Sequence, residues 1–299
     1  MSHMYQTVPR SQDLPTLPAG IEVIIARTRA TDDERSKPYG RTPHVDDQTV
    51  LVMLGPDAQS RRAVRSHFAR YMNAEIDILQ VPSNVSVDAW LGDLLFADGC
   101  FMTSMVLTLP QGNAWSSNGI VDLIHRVNSK PGQCLEVAIA VSASLQGWQF
   151  TGVRAVVQCD GGREAHDALI IFDLLASFSA PEMIGAFDTH DMNAVLGDLG
   201  DSLMLVEGIW NSADETICID PVLAQLSKGS EIMVLVLTTG FPRFKPFAQL
   251  MHQIRHMVGE NGTVLSLWTE GLAERVSMSQ QFIPFYVLIR STPPASQLP

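Results

Sequence analysis

FDTHDMNAVLGDLGDSLMLVEGI, Phe187 to Ile209, is the stretch from which the fold can be read. It holds a short acidic loop, an amphipathic helix and an apolar strand. Ala194, Val195 and Leu199 lie at helical spacing, and Leu203, Leu205 and Ile209 carry the apolar character into the strand. Asp188 or Thr189 suits the N-cap. Asp191 falls in the first turn, where the helix dipole favours an anion.

Part of this stretch occurs twice. Leu196-Gly197-Asp198-Leu199 repeats Leu91-Gly92-Asp93-Leu94, and each copy follows an acidic helix start and precedes an apolar strand. Each of those strands, Phe101–Leu109 and Leu203–Ile209, leads through a short helix to another, Leu135–Val141 or Ile232–Leu237. Upstream, Val50–Leu54 with its helix matches Val153–Val157 with Glu164–Phe178. Strand and helix signals alternate from residue 21 to 290, which predicts an α/β fold of two tandem, duplicated sheet-plus-helix modules. The expected division is a flexible tail over 1–20, a diverged first module over 21–148, a second over 149–290 and a frayed tail over 291–299.

Composition narrows the function. In 299 residues, 46% are hydrophobic and the formal net charge is -12. Such a chain can bury a substantial core, and its acidity argues against nucleic-acid or anionic-membrane binding, which needs clustered Lys and Arg. The densest basic run, Arg61, Arg62 and Arg65, reads as a solvated helix face. No apolar run reaches the roughly 18 residues of a membrane span, so no span is expected. Cys100, Cys134, Cys159 and Cys218 share no CxxC spacing and sit in or beside apolar strands. They read as buried, reduced thiols of a cytoplasmic protein.

Several residues invite a catalytic or metal reading. Glu164, His166 and Asp167 cluster at a helix start, where polar residues are ordinary. His252 and His256 are four apart, but no HExxH glutamate lies between them, so no metal is expected. No G-x-S-x-G elbow supports a Ser-His-Asp site.

Residues 163–289 resemble the C-terminal half of FtsZ, the bacterial tubulin homologue. Glu164–Phe178 stands in the place of that family's long central helix, and Pro181–Ile184 where the chain leaves it. Asp188-Thr189-His190-Asp191 takes the place of the synergy loop, Asn-x-Asp-Phe-x-Asp, with Ala186 for the Asn and Thr189 for the Phe. Thr238-Thr239-Gly240 sits beside the family's Gly-rich turn. The resemblance implies an interaction loop of Asp188, His190 and Asp191, with Asn84 and Asp88 as a loose counterpart in the first module. By themselves, Asp188 and Asp191 read more simply as a capping pair. The family's glycine signature, close to GGGTGTG, is missing, and Gly112 and Gly161-Gly162 stand alone. GTP binding, GTPase activity and a cofactor are therefore not expected. The resemblance implies a non-enzymatic protein whose partner is itself or an FtsZ-like filament. The rival reading is a small-molecule-binding protein or enzyme with its site between the two modules.

Overall fold

The computed structural model describes residues 21–28, 48–69, 74–82, 85–96, 102–108, 122–127, 137–143, 153–159, 161–178, 183–184, 196, 201–211, 213–219, 232–239, 244–258, 262–269 and 282–291. The fold is mixed α/β, as the alternation of strand and helix signals predicts.

The strands are β1 (Glu22–Thr28), β2 (Gln48–Leu54), β3 (Ala74–Gln80), β4 (Met102–Thr108), β5 (Val137–Ser142), β6 (Ala155–Gln158), β7 (Met183–Ile184), β8 (Asp201–Asn211), β9 (Thr216–Ile219), β10 (Ile232–Thr239), β11 (Gly262–Thr269) and β12 (Phe282–Ser291). The helices are α1 (Ala58–Phe68), α2 (Val87–Phe96), α3 (122–127), α4 (Glu164–Phe178) and α5 (Phe244–Val258).

One sheet runs through both halves in the order β3-β1-β2-β4-β5-β6-β8-β12-β10-β11-β7, with β9 added beside β8. Neighbours from β2 through β8 are parallel. They read as near-continuous apolar runs because both faces are covered, and all six residues of β5 are buried. Antiparallel β12 then separates β8 from β10.

Alternation along β2 assigns the faces. Leu51 and Met53 join a core with α1 and α4, whereas Val50, Val52 and Leu54 join one with α2 and α3. On the first face, Phe68 meets Phe172 at a ring-centroid distance of 4.8 Å. Each buried aromatic contributes about 1.5–3 kcal/mol over its exposed state. On the second face, α5 places Leu250, Ile254 and Val258 against Val206, Trp210, Phe285 and Val287. That helical spacing lays one apolar stripe on the sheet.

The structure gives the duplication no support at its most explicit point. Leu91 and Leu196 are both fully buried, but Leu91 joins the α2–α3 face and Leu196 the α4 face. In addition, β12 stands between β8 and β10, where β4 and β5 touch directly.

One expectation about the thiols is corrected. Cys159 is buried, but Cys218 is exposed. It sits on short β9, opposite half-exposed Ile209, on the sheet face that α4 packs against farther in. Cys100 and Cys134 lie outside the described residues. Arg62 and Arg65 are exposed, as a solvated helix face requires, while Arg61 pairs with Glu22 at 2.7 Å.

Candidate functional site

In sheets of parallel strands with helices on both faces, ligands collect outside the carboxyl ends, where strand order reverses. Here the chain leaves β2 through α1 towards β3 and leaves β4 towards β5, so the reversal lies between β2 and β4. Two turns at the carboxyl edge lead directly into long helices, Gly55-Pro56-Asp57 after β2 and Gly161-Gly162-Arg163 after β6. Gly55 (φ 61°) and Gly162 (φ 86°) take left-handed backbone that favours glycine.

A helix start holds a phosphate by offering unpaired N–H groups. A carboxylate of the chain takes one N–H at the first start and one just before the second. Asp57 Oδ1 accepts from Ser60 N at 2.6 Å, and Pro56 brings no N–H. Hydrogen bonds from Ser60 hold the Asp57 carboxyl below its usual pKa range. Glu164 Oε2 accepts from Gly162 N at 2.9 Å.

Beside the second turn, a charged cluster joins α4 to β8 and β12. Arg163 Nη2 donates to Asp167 Oδ1 (3.4 Å) and Glu207 Oε2 (3.3 Å) and lies 3.3 Å from His166 Nδ1. His166 Nδ1 is 3.0 Å from Asp167 Oδ1. Asp167 is 2% exposed, so its charge needs these partners. Burial pulls the Arg163 pKa down, but Asp167 and Glu207 outweigh it and hold the guanidinium above its ordinary value.

Tyr286 stands opposite Glu207 in register, and its ring meets the His166 ring at 6.2 Å. Burial and the Glu207 and Asp173 carboxylates push its pKa up to about 12, with Arg163 opposing them. Its hydroxyl therefore stays a donor through the physiological range. Further along α4, Asp173 pairs with His67 of α1 at 2.7 Å.

The cluster adjoins an apolar strip. Register puts Ile209, Pro284 and Cys218 in one row on the face that carries Glu207 and Tyr286, with Phe282 in the next row. Ile209 is 42% exposed and Phe282 55%. The cluster offers a guanidinium, an oriented imidazole and a phenol donor, but no Ser or Cys nucleophile contacts His166 among the described residues.

On the opposite face, α5 and β9 enclose a hollow of about 570 Å³ lined by Ile217, Cys218, Ile219, His252, Gln253, His256 and Met257. Strand alternation turns the Cys218 side chain away from α5, onto the Ile209 face, so the thiol does not complete a ligand set with the two histidines. Among the described residues, no group of three or more His, Cys, Asp or Glu has the geometry to hold a metal.

Asp188, His190, Asp191 and Asn84 lie outside the described residues. Asp88 is the second residue of α2. Helix-start reasoning noticed His166 and Asp167 but not Arg163, Glu207 or Tyr286, because only the pairing of β8 with β12 brings these together. No helix among the described residues is long and apolar enough to cross a membrane.

No family model and no curated protein matches the chain. Among solved structures it is similar to an empty FtsZ dimer from M. jannaschii, with 11% identity and a TM-score of 0.37 over 69% of this chain and 67% of that one. A mutant M. jannaschii FtsZ gives 11% identity and a TM-score of 0.32 over 68% and 59%. The chain carries a weak fold-level resemblance to FtsZ.

Proposed function

We propose that this chain is a non-enzymatic, FtsZ/tubulin-like protein that acts through protein–protein contacts, with itself or with a filament-forming relative. The observation that carries the reading is that neither carboxyl-edge turn carries a GGGTGTG-like phosphate signature, and one N–H at each turn is already taken by Asp57 or Glu164. The apolar strip of Ile209 and Phe282 beside Arg163, His166 and Tyr286 supports it, because exposed apolar patches rimmed by polar groups mark interaction surfaces. Asp188, His190 and Asp191 of the acidic loop are the proposed interaction residues, with Asn84 and Asp88 as their first-module counterpart. A cytoplasmic setting suits four cysteines with no pairing pattern.

The test is sedimentation velocity over a concentration series, with and without GTP. The account predicts association that rises with concentration, is indifferent to GTP and is weakened in Ile209→Asp with Phe282→Asp. A strictly monomeric chain that also fails to bind an FtsZ filament would count against it.

A further inference from the structure

The larger hollow beside α5 continues into a second. This one measures about 410 Å³ and is lined by Lys245, Ala248, Gln249, His252 and Gln253. His252 and Gln253 belong to both, so the two form one groove along the helix. The groove wall, Lys245-Gln249-His252-Gln253-His256, follows helical spacing. From Lys245 to His256 it spans about 17 Å at a rise of roughly 1.5 Å per residue.

That wall is rich in donors on an acidic protein. α5 contains no Asp or Glu in its 15 residues, and Lys245, His252, Arg255 and His256 are exposed. The chain's own Glu215 displays what the wall recognises. Gln249 Nε2 donates to Glu215 Oε2 at 2.5 Å, Gln253 Nε2 donates to Glu215 O at 2.8 Å, and Lys245 Nζ lies 3.9 Å from Glu215 Oε1. Glu215 reaches this position in a left-handed conformation (φ 52°), unusual for a residue with a side chain.

The opposite wall is a strand edge. Three consecutive residues, Ile217, Cys218 and Ile219, line the hollow although successive side chains of a strand point to opposite faces. The backbone of β9 therefore borders the groove, and among the described residues β9 pairs only with β8. An unpaired strand edge is a template for an added strand.

We propose that the groove between α5 and β9 docks an extended, carboxylate-bearing peptide segment of a partner protein, which adds to β9 and sets its acidic side chains against His252 and His256. A strand of about five residues spans the 17 Å wall, at roughly 3.4 Å per residue. The larger hollow, at about 570 Å³, is of ordinary size for a bound ligand. The inference rests on the interaction reading above and names the partner's chemistry.

The test is fluorescence anisotropy of the full chain with a labelled pentapeptide of alternating valine and glutamate. The controls are the valine–lysine analogue and a copy with alternate amides N-methylated. The glutamate peptide is expected to bind, and the two controls are not. His252→Ala with His256→Ala should weaken binding by about tenfold or more, since hydrogen bonds to a carboxylate are costly to truncate. Equal binding of the lysine or N-methylated peptide, or indifference to the histidine pair, overturns the proposal. If the glutamate peptide fails while the chain still associates in sedimentation, only this inference falls. If it binds a chain that also binds GTP, only the preceding reading falls.

Discussion

At the residue scale, two positions expose the physics most plainly. Tyr286 is an acid whose folded pKa, about 12, lies above its ordinary value of 10.0. The fold therefore favours the neutral phenol. This contribution to stability is complete below about pH 10 and disappears as pH rises towards 12. Phenolate absorbance should show one of the four tyrosines ionising last, and Tyr286→Phe should remove that step. If all four titrate together near 10, Tyr286 is not held as described. The other position is Gly208. A Cβ built there would stand 2.2 Å from Phe285 Cζ and within 2.7 Å of two further ring atoms. Phe285 is fully buried and has no room to retreat. Gly208→Ala should thus cost about 1–3 kcal/mol in urea unfolding, the usual range for overpacking, and Phe285→Leu should recover part of the loss. An unchanged midpoint would show that the ring moves freely.

At the scale of elements, the sequence was most legible where a period was long enough to read. The boundaries expected for α4 coincide with Glu164–Phe178. Strand β9, four residues long between Glu215 and Ile219, was not anticipated, because so short a stretch carries no clear period. Its absence from the reading explains the error at Cys218, which was expected to be a buried thiol in or beside an apolar strand and is exposed. The cluster around Arg163 was hidden for a different reason. Burial of Asp167 depends on β8 and β12, about 40 and 120 residues away in sequence, and helix-start composition cannot report it. The acidic loop remains the proposal that sequence alone motivates. Asp188→Ala with Asp191→Ala should leave stability within about 1 kcal/mol, roughly the value of a cap, and weaken partner binding by about 2 kcal/mol or more. Melting and association measured on the same double mutant decide the matter. A lower melting temperature with unchanged association reduces the loop to a helix cap.

At the scale of the whole molecule, the alternation of elements predicted the fold class, but strand order was beyond its reach. The junction of the halves is a parallel pairing of β5 with β6, and β12 returns from the end of the chain to separate β8 from β10. Such non-local pairings leave little trace in local pattern. They nevertheless position everything proposed here. The β6–β8 pair sets the Gly161-Gly162 turn beside Glu207, and the β8–β12 pair carries the apolar strip. The central claim is that this edge, despite its parallel strands and glycine turns, is not a phosphate site, because it lacks a GGGTGTG-like signature and Asp57 and Glu164 each take an N–H at its turns. Calorimetric titration of GTP with magnesium into the purified full chain tests it most directly. The account predicts no saturable heat and no released phosphate, whereas micromolar binding or measurable hydrolysis would contradict it.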